Sequence, residues 1–255
     1  MPRHQGGGSA RARLRHAFLA RLARRTEAPA FVVRGGVRIQ RWLGEGRPVG
    51  DVDLVATEIR LADAESVLRR ALDDGSSEDG VVFHPDRVRV DRFHPDSPHE
   101  GLRLFAAGST RTRRHETRAD LVVDVVVGLP LWPRPGWIEF APGTRLRAIL
   151  APTVVGTKLK VLGELGPRDW RAKDLIDALL VMRACEMQRG ELGEGIERAW
   201  ASGRPQVATP GAMLASASWW SDPRAEDRFR RRTRGAEISV AGAVAELRAG
   251  LRGTP

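Results

Sequence analysis

Residues 121–127 read Leu-Val-Val-Asp-Val-Val-Val, a β-branched run broken by one carboxylate. A run of this kind belongs in a strand covered on both faces, so this stretch is expected to be a central strand of a sheet. A carboxylate buried there without a partner costs several kcal/mol or shifts its pKa. Asp124 therefore demands a cation or a hydrogen-bond donor beside it.

A second stretch, residues 51–56, reads Asp-Val-Asp-Leu-Val-Ala and alternates as a strand should. Alternate side chains of a strand share a face, which sets Asp51 and Asp53 on the same side roughly 6–7 Å apart. Two carboxylates so placed repel each other. A solvated strand edge tolerates the pair, and so does a bound cation. A cation shared with Asp124 resolves both anomalies at once, and an oxygen-only donor set without His or Cys selects Mg²⁺ or Mn²⁺ over zinc.

Upstream, residues 31–33 form a short strand candidate that runs through Arg34 into Gly35-Gly36 and then a brief helical stretch over 37–43. Glycines at a strand-to-helix turn let a phosphate approach the amides at the helix start. Strand, Gly-Gly, helix, Asp-x-Asp and a third aspartate on a later strand together specify a triphosphate handled with divalent metal. Helical periodicity is expected over residues 61–73, 153–165 and 169–189, with weaker helices through Trp200, over 213–220 and over 240–251. Short strands are expected at 81–83, 88–90 and 102–106. The proline-rich stretch 130–142 marks a boundary between domains. Residues 1–25 form a basic amphipathic helix with Leu14, Phe18, Leu19 and Leu22 on one face.

The chain of 255 residues carries a formal charge of +10, which favours polyanionic partners. Lysine occurs only at positions 158, 160 and 173, however, and every other basic residue is arginine, so the charge is partly a compositional habit. The same habit makes the three lysines conspicuous. Arginines at 228, 230, 231, 232 and 234 read either as a solvated face or as phosphate contacts. A single cysteine, Cys185, excludes an intramolecular disulfide, and no apolar run reaches the roughly 20 residues of a membrane helix. A cytoplasmic protein without a membrane partner is expected.

The stretch FVVRGGVRIQRWLGEGRPVGDVDLVA resembles the first motif of the AbiEii/AbiGii-type nucleotidyltransferase toxins, within the polymerase-beta-like superfamily. The stretch APTVVGTKLKVLGELGPRDWRAKDLIDALLVM is similar to their helical lysine and aspartate motifs. The resemblance implies an α/β fold: a polymerase-beta-like nucleotidyltransferase core with a mixed sheet over residues 26–140, followed by a helical domain over 144–255 that closes over the nucleotide. It implies that Asp51, Asp53 and Asp124 hold Mg²⁺ or Mn²⁺, that Gly35 and Gly36 cradle the triphosphate, and that Arg47 is a phosphate contact. Lys158 would match the family lysine that contacts the nucleotide, and Asp174 the aspartate of the last motif.

The implied reaction moves a nucleoside monophosphate from a nucleoside triphosphate to an acceptor hydroxyl, the 3′ end of a tRNA, by a toxin held in check by a cognate antitoxin. Two departures stand out. Val122 occupies the position where the family often has a lysine, and Gly35-Gly36 replaces the common Gly-Ser. A nucleotidyltransferase acting on a small molecule and a non-catalytic nucleotide-binding module are the alternative readings; the arginine excess weighs against the first, and three retained aspartates weigh against the second.

Overall fold

In the computed structural model the valine-rich run lies in β6 (Glu116–Val127), and Asp51 immediately precedes β2 (Val52–Ala56). The structure describes residues 6–44, 49–74, 80–93, 99–111, 115–129, 131–232 and 238–252. These residues divide into two compact units: residues 1–129 with Gly136–Ala148, and Pro130–Pro135 with residues 149–255.

The first unit is built on an eight-stranded mixed sheet ordered β3 (Val81–Phe83), β5 (Gly101–Arg111), β6, β2, β1 (Phe31–Arg34), β8 (Thr144–Ala148), β7 (Gly136–Ala141), with β4 (Arg89–Phe93) also on β5. β2 runs parallel to β6 and antiparallel to β1, while β8 runs parallel to β1. Alternation sends Leu54, Leu102, Leu104, Val123 and Val125 into one buried core with Leu14, Phe18 and Leu22 of α1 (Gly6–Ala23) and Leu68 of α3 (Leu61–Leu72). The opposite side chains of β2, β6 and β5 include Asp53, Asp124 and Arg103.

The basic N-terminal helix is thus part of this core. Its Arg21 is only 2% exposed. Its Nη2 donates to the Val81 carbonyl at 2.8 Å and its Nη1 to Leu72 O at 3.4 Å, while the guanidinium lies 5.0 Å from the Phe83 ring centroid. One side chain therefore ties α1 to the end of α3 and the start of β3.

Residues 130–142, expected to mark a boundary, also contain a strand. A hairpin of β7 and β8, turning through Gly143 at φ +73°, joins the sheet through β1, which carries the first unit to Ala148, beyond residue 140. Likewise the expected helix over 169–189 is shorter: α5 spans Ala172–Ala184.

The second unit is helical: α4 (Ala151–Asp169), α5, α6 (Arg189–Ala201), α7 (Pro210–Ala215), α8 (Ala217–Trp220), α9 (Pro223–Arg232) and α10 (Val240–Gly250). α4 and α6 approach closely because both are glycine at the contact. A Cβ on Gly156 would lie 2.5 Å from the Gly195 carbonyl oxygen. Thr209 and Ser239 cap α7 and α10, accepting from Ala212 N and Gly242 N. No helix among the described residues is long and apolar enough to cross a membrane.

Removing Arg21 withdraws a buried guanidinium that donates to the Val81 and Leu72 carbonyls. Arg21→Ala is expected to lower the urea-unfolding free energy by about 2–4 kcal/mol, whereas Arg69→Ala, which breaks only a surface pair with Glu65, changes it by less than about 0.5 kcal/mol. Equal effects would rule out the tie assigned to Arg21.

Candidate active site

Strand register, more than any single motif, assembles the site. Arg34 of β1 lies opposite Asp53 of β2, Asp53 beside Asp124 of β6, Asp124 opposite Arg103 of β5, and Arg103 opposite Asp91 of β4. Five strands thus carry one rung of five charged residues, with two neighbouring carboxylates at its middle. Adjacent strands are about 5 Å apart, so the two central charges cannot avoid each other through the backbone.

The flanks compensate in part. Arg103 donates from Nε to Asp124 Oδ1 at 2.7 Å and from Nη2 to Oδ2 at 2.6 Å, a bidentate pair that pushes the guanidinium pKa up. Burial pushes the Asp53 carboxyl up, and Asp124 and Asp51 push it further; Arg34 and a hydrogen bond from the Gly36 amide pull it back without cancelling the rise.

Gly35 makes this arrangement possible. It sits at φ +62°, and a Cβ there would lie 1.9 Å from Asp53 Oδ2. α2 (Gly35–Leu43) therefore begins directly against the carboxylate, with the Gly36 amide engaged by Asp53. Asp51 is positioned from α1, because Arg15 Nη1 donates to the Val49 carbonyl at 2.6 Å, two residues upstream.

Beside Asp51 a cleft of about 350 Å³ opens on the same sheet face, lined by Asp51, Val122, Phe105, Asp120, Arg11 and Arg87. Register explains its floor, since Phe105 pairs with Val122 and Ala107 with Asp120. The Arg89 guanidinium stacks 4.3 Å from the Phe105 centroid and pairs with Asp91 at 3.1 Å. Val122 thus contributes apolar surface where the family often has a charge.

Among the described residues no three His, Cys, Asp or Glu side chains are gathered as a metal cage. Both Asp124 oxygens point at Arg103 instead. The donor chemistry nonetheless fits a hard divalent cation: the carboxylates are oxygen-only donors on one sheet face, and burial beside Asp124 and Asp51 disfavours the ionised form of Asp53.

Lys158 and Asp174 belong to the helical unit and come together there. Lys158 Nζ lies 2.6 Å from Asp174 Oδ1 and 3.0 Å from Asp177 Oδ2, with both aspartate side chains 3% exposed. Arg171 Nε stands 3.1 Å from Asp174 Oδ2, without the alignment of a hydrogen bond. Asp177 and Arg103 are among the participants that sequence reading did not select. The three-residue spacing on α5 signalled Asp177, whereas Arg103 becomes visible only with the β5–β6 register. Arg47 lies outside the described residues.

A family model for the nucleotidyl transferase AbiEii toxin of type IV toxin–antitoxin systems matches residues 17–236. No curated protein sequence matches the chain. Among solved structures, JHP933 from Helicobacter pylori superposes with a TM-score of 0.55 at 12% identity, covering 95% of this chain and 89% of that one. A candidate nucleotidyltransferase from H. pylori superposes with a TM-score of 0.56 at 13% identity, covering 95% and 92%. Those identities speak for the fold, and the family match speaks for the chemistry: the chain belongs to the AbiEii nucleotidyltransferase toxin family.

Proposed function

We propose that the protein transfers a nucleoside monophosphate from a nucleoside triphosphate to a hydroxyl of RNA, in the manner implied for a tRNA 3′ end, with pyrophosphate leaving. The observation that supports this most is the placement of Asp53 and Asp124 side by side on one sheet face, with Asp51 at the same face and a cleft next to it. A cleft of that size with an aromatic floor and arginine rim accommodates the end of a nucleic-acid acceptor.

Asp51, Asp53 and Asp124 would hold Mg²⁺ or Mn²⁺, which supplies neutralisation of the triphosphate and alignment of the attack on its α-phosphorus. The protein contributes positioning. Gly35 brings the start of α2 against the carboxylates, where helix amides and dipole favour phosphate oxygens. Asp124, on the interior strand β6, is the carboxylate assigned to receive the acceptor proton, and Arg103 fixes its orientation. By the family resemblance, Lys158 and Arg47 would contact the nucleotide phosphates and Asp174 would be the aspartate of the last motif. A cognate antitoxin is the expected protein partner of a type IV toxin.

The direct test is label transfer from each α-labelled nucleoside triphosphate into total RNA with Mg²⁺. Labelled tRNA-sized RNA is expected with the native chain and none above background with Asp51→Ala/Asp53→Ala. Label appearing equally in both would exclude the carboxylate assignment, and label appearing only on a small molecule would exclude the RNA acceptor.

Lys158→Met separates the roles of the lysine. A phosphate contact requires the KM for nucleoside triphosphate to rise about tenfold or more, and the loss of the cation between Asp174 and Asp177 requires the melting temperature to fall as well. A fall in melting temperature with unchanged KM would confine Lys158 to structure.

The raised pKa of Asp53 gives a prediction of definite sign. A carboxyl whose folded pKa stands above its ordinary 3.8 binds protons more readily in the folded state, so stability falls as pH climbs through that window. Asp53→Asn keeps an acceptor for the Gly36 amide and removes the charge. Without divalent metal at pH 7 it is expected to melt about 2–4 °C higher than the native chain, with the advantage shrinking as pH approaches 3.8. A lower melting temperature at pH 7 would exclude the electrostatic penalty.

A further inference from the structure

The helical unit contains a second cleft with a different charge character. α4 leaves helical geometry at Gly166, φ +76°, ahead of Pro167, and the chain turns through Arg168–Trp170 into the start of α5. Between this corner and α9 lies a cleft of about 580 Å³. Arg168, Arg171, Lys173, Arg228 and Arg231 line it, with Asp169 the one acid among the described residues.

Local pairing offsets only part of this charge. Arg171 is shared with Asp174 at 3.1 Å, and Arg228 stands 3.9 Å from Asp222, beyond hydrogen-bond length. Arg168 and Arg231 are exposed, and Lys173 is half-buried. Five cations from three segments of the fold converge on a space that holds a single carboxylate among the described residues. Folding has placed side chains 55 residues apart in sequence, those of Lys173 and Arg228, on one cleft, which a chain-wide arginine habit does not produce by itself.

We infer that this cleft binds the phosphodiester backbone of RNA, through its phosphates and without reading bases. Planar guanidiniums match phosphate oxygens with two donors each. The apolar members of the cleft decide against a protein ligand. Trp170 is 1% exposed and Ala172 5%, so no aromatic anchor is offered to a partner side chain. Charge without an apolar anchor is the pattern of backbone positioning. The inference rests on the proposed function only in naming RNA as the polyanion, and it assigns arginines 228 and 231 the phosphate role among the two readings open from sequence.

The test is fluorescence anisotropy of a labelled tRNA-sized RNA with the full chain across a salt series, comparing the native protein with Arg168→Glu/Arg231→Glu. Both residues are exposed, so folding should be retained, and a melting curve checks it. The slope of log affinity against log salt is expected to shallow by about 1 for each arginine removed, with affinity at moderate salt down roughly tenfold or more, while Mg²⁺-dependent nucleoside triphosphate binding is unchanged. Arg168→Gln/Arg231→Gln, which removes charge without reversing it, should give the same slope change with a smaller loss. Unchanged RNA affinity and slope in both variants would overturn the inference. So would unchanged RNA binding accompanied by loss of binding to polyglutamate, which would make the cleft an acidic-protein site. Label transfer is read separately: RNA binding that depends on these arginines in a protein without transfer activity would sustain the cleft and remove the enzyme reading, and the reverse result would do the opposite.

Discussion

Two aspartates in register on parallel neighbouring strands are the constraint around which the sheet unit is arranged. At a separation near 5 Å and an effective dielectric near 20, their repulsion is about 3 kcal/mol, comparable to the cost of a large core mutation. The sheet answers with charges of opposite sign at the next positions of the same rung, Arg34 beyond Asp53 and Arg103 beyond Asp124. The answers are unequal. Arg103 grips Asp124 with two short hydrogen bonds, whereas Asp53 receives a backbone amide and only longer-range help from Arg34. The Asp53 carboxyl is pushed up accordingly, because burial with Asp124 and Asp51 nearby outweighs Arg34 and the Gly36 amide.

The helical unit shows the contrasting solution. There the cation is already in place, with Lys158 within 3.0 Å of both buried aspartates. A buried group of this kind is strongly destabilised when one member is removed, because the remaining charge keeps its desolvation cost. Geometry thus makes Lys158 a staple for α4 and α5 whatever else it contacts. Lysine rather than arginine at this point is consistent with a compact ammonium fitting between two carboxylates that a planar guanidinium would force apart.

These particulars explain what could be read from the sequence. Asp51, Asp53 and Asp124 were legible because strand alternation and burial leave a carboxylate in a valine run few explanations. Gly35 was legible as a turn residue, but its closest reason, a Cβ colliding with Asp53, depends on packing. Arg103 was invisible because no local pattern states which strand lies beside which; the β5–β6 register creates its importance. The β7–β8 hairpin was missed for a related reason: a proline-rich segment with Trp137 half exposed resembles a linker until β8 pairs with β1. Local chemistry selected the carboxylates, and long-range pairing supplied their counter-charges.

The same distinction governs the meaning of the net charge. A total of +10 built from habitual arginine says little by itself. In the sheet unit, arginines are spent against aspartates on one rung, buried as ties like Arg21, or stacked on rings like Arg89. Around the α4–α5 corner and α9, four arginines and Lys173 instead face one acid among the described residues of their cleft. Electrostatic attraction for a polyanion depends on such local excess, because charges more than about 10 Å apart at ordinary salt are largely screened from one another. Placement therefore distinguishes the arginines, and one composition yields a rung of paired charges in the first unit and a cluster of cations around one cleft in the second.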